Sequence, residues 1–261
     1  MTNSPQNWLD WKQSRNRTFA DPTGFLAITE LVWLTSEQQE IKGLSGTWFA
    51  EDSTIHVIDS SAGEHSWNLD KLGDTSFELD GIKVELALRN GSPVVRPRDP
   101  NSPMLKAFTE VKTFDYNPEF AVVAKLEAFD SPREVVVGSV VEGMTQGYVS
   151  PGALVFELGG STHRLTAFEK ASSQDLTIYF RDATSGKTSY GTARSVTATH
   201  QADGTYLIDF NYSGNFPCAY TDFATCPLAP VENNLSVAIE AGESKPDKRN
   251  TAEGIKEQVS N

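Results

Sequence analysis

The stretch that decides the fold is FELDGIKVEL, which runs from Phe77 to Leu86. Apolar and polar residues alternate on both sides of its centre, and this period of two is typical of β-strands that have one buried face. The central dipeptide is Asp80-Gly81. A two-residue hairpin turn needs positive φ at both positions, which Asp and Gly adopt readily. The stretch therefore predicts an antiparallel β-hairpin that turns at Asp80-Gly81.

The same alternation continues in short segments on both sides of this hairpin, between Thr47 and Phe210. Further strands are predicted at residues 48–49, 55–57, 67–69, 120–129, 134–141, 153–158, 163–168, 175–180 and 205–210. Strands this short and this frequent are typical of all-β domains. The sequence therefore predicts a mainly β protein built from antiparallel β-sandwich or barrel-like sheets.

The two ends of the chain differ from this β body. Ser4-Pro5 is typical of an N-cap followed by proline at the first helical position, so one N-terminal helix is predicted to run to about Arg17. Residues 1–46 are interpreted as this helix and a connecting segment, and residues 47–243 as the β body, with a division into subdomains 47–115 and 116–243 left open. Residues 244–261 are interpreted as a polar tail. Its only helical candidate, 251–259, has little apolar face, so the tail is expected to be removable at little cost.

A long segment without periodicity joins the last predicted strand to this tail, from Asp209 to Glu243. Pro217, Pro227 and Pro230 remove backbone donors and fix φ, which excludes a regular helix or sheet. Five aromatic residues within the segment argue against disorder. The sequence predicts a long ordered C-terminal loop, and loops of this length inside compact domains are usually functional.

Composition excludes several classes of protein. Hydrophobic residues make up 38% and the net charge is −13, which indicates a soluble, acidic, globular chain that repels phosphate backbones and anionic lipid. Nucleic acid and membrane are therefore not expected as partners. The first residues contain no charged head followed by an apolar stretch, so no secretory signal is predicted and the expected location is the cytoplasm. No glycine-rich phosphate loop or Gly-x-Ser-x-Gly elbow occurs, so no cofactor is predicted.

Cys218 and Cys226 are the only cysteines. Seven residues separate them, which is not a usual zinc-ligand spacing, and His56, His65, His163 and His200 are scattered, so no metal site is predicted. Three interpretations stay open: a buried pair of free thiols, a disulfide, and metal or redox chemistry. Free thiols, at least partly buried, are the prediction, because the expected compartment is reducing.

The C-terminal loop carries a specific set of short motifs. They are DFN at 209–211, NFPCAY at 215–220, CPL at 226–228, EN at 232–233 and AGE at 241–243. Together with RNG at 89–91, RPRD at 96–99 and the segment from Phe180 to Arg194, they resemble the DUF1684 family over nearly the whole chain to Glu243. The resemblance implies no activity, because the family is named for its unknown function.

Carboxylates on and near this loop are the candidates for acid–base chemistry. Glu232 and Glu243 lie on the loop, and Asp182 lies at a strand end. Carboxylates on ordered loops act as general acids or bases, but they also accept hydrogen bonds from backbone N–H groups that an irregular loop leaves unpaired. Both roles stay open.

Arginines beside proline are the candidates for ligand binding. Arg96 and Arg98 flank Pro97, so their backbone is fixed, and a guanidinium group binds a carboxylate or a phosphate through two parallel hydrogen bonds. Asp99, Arg194 and Asn233 complete the ligand-binding set. We expect Arg96, Asp99, Arg194 and Asn233 to lie around one region with the three carboxylates.

Two functions fit these residues. The first is the binding of a small anionic metabolite in an arginine and carboxylate pocket, with an acid–base reaction, hydrolytic or isomerising, as an option. The alternative is a non-catalytic interaction module in which the loop is structural and a β-sheet face binds a protein partner.

Overall fold

The computed structural model describes residues 5–258, and Ser4, the predicted N-cap, lies outside them. The N-terminal part of the chain contains, in order, α1 (Pro5–Phe19), β1 (Val32–Trp33), β2 (Thr47–Glu51), β3 (Thr54–Ser60), β4 (Gly63–Asn68), α2 (Leu69–Leu72), β5 (Thr75–Leu79), β6 (Ile82–Arg89), β7 (Ser92–Arg98) and α3 (Pro103–Ala107).

The C-terminal part is almost entirely β. Its strands are β8 (Ala121–Gly138), β9 (Thr145–Leu158), β10 (Ser161–Glu169), β11 (Leu176–Phe180), β12 (Arg194–His200), β13 (Tyr206–Asp209), β14 (Gly214–Asn215), β15 (Lys248–Thr251) and β16 (Gly254–Glu257). In the described part of the chain, no helix is both long enough and apolar enough to cross a membrane.

The N-terminal strands form two sheets around one core. β2, β3 and β4 make a three-stranded sheet, and β1, β7, β6 and β5 make a four-stranded sheet in that order. The shared core includes Trp48 and Ile55 from the first sheet and Val84, Leu86 and Val95 from the second. We call this unit the N-terminal sandwich.

The hairpin of the opening stretch is β5–β6. Leu79 pairs with Ile82, and φ is 55° at Asp80 and 75° at Gly81, so the predicted two-residue turn is confirmed. A second turn of the same kind, at Asn90-Gly91, joins β6 to β7 and pairs Arg89 with Ser92. These two tight turns fix the register of β5, β6 and β7, three of the four strands of this sheet.

The C-terminal strands form a closed barrel. From β8 to β13, each strand pairs antiparallel with the next one along the chain, and β13 pairs back with β8. This closure leaves no free edge among the six strands, which removes the usual risk of edge-to-edge association. The barrel core includes Leu154, Leu165, Ile178 and Ile208, all fully buried. The prediction of antiparallel sandwich or barrel-like sheets with one N-terminal helix is confirmed.

The segment from Asp209 to Glu243 is an ordered loop that packs against the barrel and contributes Leu235, Ile239 and Ala241 to its core. Its backbone forms bridges with three earlier segments, pairing Pro227 with Ser139, Asn234 with Arg181 and Glu243 with Thr113. These pairings satisfy backbone groups that the prolines prevent from entering a regular sheet. The loop therefore connects the barrel to the chain that precedes it.

The expectation of a marginal helix over 251–259 is wrong in the described residues. β15 and β16 form a hairpin instead, with Asn250 paired to Ile255. The hairpin is docked, because the Asn250 backbone N–H donates to the Tyr220 carbonyl at 2.8 Å and its side chain donates to the Ile28 carbonyl at 3.2 Å. Short polar strands carry a weak sequence signal, and tertiary hydrogen bonds decide their structure here.

A third hydrophobic cluster lies between the two β units. Its buried members come from α1, α3, the C-terminal loop and the connections after α1, after α3 and after β11. They are Phe19, Leu26, Met104, Val111, Tyr190, Cys218, Ala219, Tyr220, Ala224 and Cys226. We call this group the junction cluster. Because its residues come from segments far apart in sequence, it links the sandwich, the barrel and the helix.

Candidate functional site

The structure distributes the candidate residues among three hydrogen-bonded groups. One surrounds Arg194, a second surrounds Asn233, and a third surrounds Glu85 on the N-terminal sandwich. The first two are neighbours, because Arg181 and Asp182 are consecutive and the Arg181 backbone bonds to the Asn233 carbonyl.

Arg194 begins β12 and is almost fully enclosed. Its Nη2 donates to Asp182 Oδ2 at 2.7 Å and to the Ile239 carbonyl at 2.8 Å, and its Nη1 donates to the carbonyls of Ala241, at 2.5 Å, and Glu243, at 3.2 Å. The Arg194 and Asp182 side chains are 1% and 0% exposed. Burial lowers the pKa of Arg194, and the carboxylate of Asp182 opposes that shift. We interpret this pair as a clamp on the end of the C-terminal loop.

Glu243 lies beside this clamp and is also fully buried. Its Oε1 accepts from Arg15 Nε at 2.6 Å, and its Oε2 accepts from the Asn215 backbone N–H at 2.7 Å. Burial raises the pKa of Glu243, while Arg15 acts in the opposite direction. Arg15 was not among the sequence candidates, because it lies on α1, 228 residues from its partner.

Gly242 allows the loop to pack closely against the backbone of Ser213 and Phe210. Its φ is +74°, and a Cβ at this position would lie 2.5 Å from the Ser213 carbonyl oxygen and 2.7 Å from that of Phe210. Only glycine fits a left-handed backbone packed this closely against other backbone atoms. The AGE motif therefore has a conformational reason for its central residue.

Asn233 fixes the middle of the loop to the barrel. Its Oδ1 accepts from the Thr166 backbone N–H at 2.7 Å, and its Nδ2 donates to the carbonyls of Thr166 and Tyr179, each at 2.8 Å. The Asn233 amide thus forms hydrogen bonds with backbone groups of both β10 and β11. Glu232 is exposed and accepts from the Thr166 hydroxyl at 3.0 Å. We interpret Asn233 as a structural residue, which is one of the two roles left open by the sequence.

Arg96 and Arg98 lie on β7, away from these two groups in the hydrogen-bond network. Both pair with Glu85 on β6, and Arg98 Nε donates to Glu85 Oε2 at 3.0 Å. Arg89 Nη2 also reaches Glu85 Oε1, at 3.5 Å, so three guanidinium groups share one carboxylate. Burial raises the pKa of Glu85, but Arg96 and Arg98 outweigh it and hold that pKa below its ordinary value.

Strand register brings these charges together. Glu85 is directly opposite Arg96, and Lys83 is directly opposite Arg98, on the face of the sheet that points away from the sandwich core. Arg96 is buried, and its Nε–H has no hydrogen-bond partner within residues 5–258. Glu85 was missed by the sequence reasoning. The Asn90-Gly91 turn was the signal, because a two-residue turn there pairs position 85 with position 96.

A cleft of about 330 Å³ opens beside this group. Its lining consists of Thr23, Asp74, Thr75, Ser76, Lys83, Glu85 and Arg98. Among residues 5–258, the Lys83 ammonium has no hydrogen-bond partner. Asp99 is used elsewhere, because its carboxylate accepts from the Asn101 backbone N–H at 2.7 Å in the turn after β7. We call this opening the Glu85 cleft.

Cys218 and Cys226 are free and buried, so the prediction of free, buried thiols is confirmed. The Cys218 backbone N–H lies 3.4 Å from Cys226 Sγ, and the Tyr190 hydroxyl donates to the Cys218 carbonyl at 2.9 Å. A hydrogen bond from the Cys226 thiol lowers the pKa of Cys218 and raises that of Cys226. Both side chains belong to the junction cluster, where they pack between the two β units.

The chain is similar to solved structures and matches a family model. The solution NMR structure of an uncharacterized protein from gene locus rrnAC0354 of Haloarcula marismortui is 32% identical, with a TM-score of 0.46, and the match covers 56% of this chain and 83% of that one. No curated protein matches. The family model described as "Protein of unknown function (DUF1684)" matches residues 106–244, just over half of the 261 residues. That range contains the Arg194 clamp, Asn233 and both cysteines, and the chain belongs to the DUF1684 family.

Proposed function

We propose that this protein binds a small carboxylate or phosphate anion in the Glu85 cleft. The observation that carries the proposal is the sharing of one carboxylate by three arginines at the edge of an open cleft. Arg89 also pairs with Asp74 at 2.7 Å, so two carboxylates face three guanidinium groups and do not neutralise them fully. Arginine and lysine together suit this ligand class, since one offers a planar fork and the other a mobile point charge.

The local charge balance supports an anion. Four basic groups lie in or beside the cleft, from Lys83, Arg89, Arg96 and Arg98. Four acidic groups face them, from Asp21, Asp74, Glu85 and Glu78, which is directly opposite Lys83. The balance is neutral on a chain whose net charge is −13, so this surface is less negative than the molecule as a whole. A neutral patch rich in guanidinium groups repels an anion less than the surrounding acidic surface does.

Neutral donors extend this lining. Ser76, which is directly opposite Glu85, lies on the same face of the sheet as Lys83 and lines the cleft, as does Thr75. Hydroxyl donors add orientation to a site whose affinity comes from charge. The lowered pKa of Glu85 keeps its carboxylate ionised near neutral pH, so Glu85 anchors the arginines and does not donate a proton. The proposed function is therefore ligand binding, in which Glu85 does not act as a catalytic acid.

The Arg194 clamp is a weaker candidate for a ligand. The Asp182 and Glu243 side chains are both 0% exposed, so a ligand could reach them only if the loop opened. Their carboxylates also accept hydrogen bonds from the backbone N–H groups of Ile239 and Asn215 on the loop itself. These contacts fit the structural role that the sequence left open, and they point to the Glu85 cleft as the site.

The test is calorimetric titration of the full chain with inorganic phosphate, sulfate, succinate and citrate. We expect at least one anion to bind. Lys83→Met should weaken the affinity for that anion about tenfold, which corresponds to about 1.4 kcal/mol. Lys83→Met removes a charge without disturbing the arginines around Glu85. Arg164→Met is the matched control, because Arg164 is an exposed side chain on β10 paired with Glu127.

Arg98→Ala is the second variant, with folding verified by circular dichroism. Equal affinity in wild type, Lys83→Met and Arg98→Ala would contradict the proposal, as would the failure of all four anions to bind. Equal weakening by Lys83→Met and Arg164→Met would show that only net charge matters.

A further inference from the structure

A second cleft lies on a different part of the molecule, between α1 and the barrel. Its volume is about 330 Å³, and its floor is the outward face of β12 and β13, where Thr197, Thr199 and Leu207 point away from the barrel core. Trp11 on α1 forms one wall, and Tyr212, just after β13, forms the other. We call it the Trp11 cleft. Neither the anion site proposed above nor the loop contacts use it.

Two aromatic rings shape this cleft. The Trp11 and Tyr212 rings have centroids 5.5 Å apart and meet at 70°, edge to face. Both side chains are half-buried, so part of each ring remains accessible from the cleft. The Tyr212 hydroxyl is buried and has no hydrogen-bond partner among residues 5–258. Perpendicular rings of this kind present their negative faces in two directions, which is the geometry that surrounds a cation in aromatic cages.

The charged residue that lines the cleft is acidic. Asp209 lies in its wall, 4% exposed, and its Oδ1 is held by the backbone N–H and the side-chain amide of Asn211, at 2.9 and 2.8 Å. None of the described residues that line the cleft is basic. Burial raises the pKa of Tyr212 to about 12, and Asp209, Tyr116 and Asp10 add to that shift.

We infer that the Trp11 cleft binds a small organic cation, of the quaternary ammonium or alkylammonium class. The aromatic faces and the carboxylates favour positive charge, and an inorganic ion would gain little from the indole ring. The floor of threonine hydroxyls and Leu207 fits a ligand that carries both methyl groups and a hydroxyl. A net charge of −13 adds long-range attraction for any cation, so the local geometry has to supply the selectivity.

The experiment uses tetramethylammonium, choline and the uncharged carbon isostere of choline, dimethylbutanol. Binding is followed on the full chain by the indole N–H resonances of the tryptophans, with Trp11 assigned by comparison with Trp11→Phe. We expect choline and tetramethylammonium to shift the Trp11 resonance, and dimethylbutanol to bind at least about tenfold more weakly, because it lacks the cation–π and carboxylate attraction.

A pair of variants at one exposed position separates charge from shape. Thr197→Lys and Thr197→Glu place opposite charges on the floor of the cleft with side chains of similar length. For a cationic ligand, we expect Thr197→Lys to weaken choline about fivefold and Thr197→Glu to strengthen it by a similar factor. Glu78→Gln, on the exposed part of β5, is the remote control and should change nothing.

Three results would overturn the inference. The first is that neither cation shifts the Trp11 resonance at about 10 mM, well above a millimolar dissociation constant. The second is that dimethylbutanol binds as tightly as choline, which would assign the cleft to neutral ligands. The third is that Thr197→Lys and Thr197→Glu change choline affinity equally, which would leave no role for charge.

Discussion

At the scale of single residues, Arg194 and Asp182 hold the end of the C-terminal loop against β12. The pair is enclosed on all sides, and the guanidinium also holds three backbone carbonyls. An ion pair of this kind contributes little net free energy, since desolvation offsets attraction. The removal of one partner is a different matter, because it leaves a charge buried and unpaired.

We expect Arg194→Gln to lower the free energy of unfolding by about 3–5 kcal/mol, the usual cost of an uncompensated buried charge. Urea denaturation followed by circular dichroism measures it. Arg181→Gln is the control, because Arg181 is exposed and lies one residue from Asp182. A loss below about 1 kcal/mol for Arg194→Gln would mean that the clamp is not structural.

Glu85 makes stability depend on pH in a defined window. Its pKa in the folded protein is below the ordinary value of 4.5, so its stabilising contribution is present above about pH 4.5 and is lost as pH falls through the folded value. We expect Glu85→Gln to be less stable than wild type near pH 7, and the difference to shrink below about pH 4.5. Urea midpoints measured from pH 7 to pH 3 test this, and a difference that grows at low pH would contradict it.

The sequence already contained part of this residue-scale information. Arg96 and Arg98 were recognisable from their proline neighbour, and the Asn90-Gly91 turn implies that Glu85 faces Arg96. Glu243 was recognisable from its motif. Its partner Arg15 was not, because a contact across 228 residues depends on how the helix docks, which no local pattern encodes.

At the scale of elements, a comparison of two glycines distinguishes the free-energy cost of a left-handed backbone from the cost of a steric contact. Gly159 and Gly242 have φ of +60° and +74°, but a Cβ at Gly159 would meet nothing within 4 Å. We expect Gly159→Ala to cost about 1 kcal/mol, the penalty of the left-handed region. Gly242→Ala should cost about 2–4 kcal/mol, because overpacking adds to that penalty. Thermal unfolding of both variants tests this, and equal losses would show that the close approach to Ser213 relaxes without cost.

The C-terminal hairpin reverses an expectation drawn from composition. Arg249 donates from Nε to Asp222 at 2.6 Å, and Gln258 donates from its side chain to the Ala219 carbonyl at 2.9 Å. Polar composition gave no sign of this, because the hairpin is held mainly by hydrogen bonds to the loop. Its strands bury few side chains.

Truncation after Asp247 should therefore destabilise the protein by about 3 kcal/mol or more, at about 1 kcal/mol for each hydrogen bond lost. The expectation from sequence, that the tail is removable at little cost, predicts no change in melting temperature. Lys256→Ala, at an exposed position of β16, is the control for the loss of a charge from the hairpin. A truncated protein as stable as the full chain would restore the original interpretation.

At the scale of the whole molecule, the junction cluster makes one body of two β units. It contains Phe19 from α1, Met104 from α3 and Tyr220 from the loop. We expect a single calorimetric transition, with calorimetric and van't Hoff enthalpies equal, because neither unit keeps this cluster alone. Two resolved transitions would show that the sandwich and the barrel unfold separately. Phe19→Ala should lower the midpoint of the entire transition.

The sequence predicted the class of fold but not its closure. Segments with a period of two locate most strands, and the two turn dipeptides fix the register of β5, β6 and β7. The pairing of β13 with β8 has no local signal, because its partners, such as Ile208 and Val122, are distant in the chain. The choice between sandwich and barrel was therefore open until the tertiary contacts were known.

The contact between Arg15 and Glu243 has a consequence for biosynthesis. The helix emerges from the ribosome long before the carboxylate that binds its arginine, which lies 228 residues later in the chain. The N-terminal sandwich can form once Arg98 has been synthesised. Arg15 on α1 then lacks its partner until the barrel has closed and the chain has turned at Gly242. A nascent chain released early would hold a finished sandwich and an undocked helix with exposed indole rings, a form that chaperones and proteases would recognise.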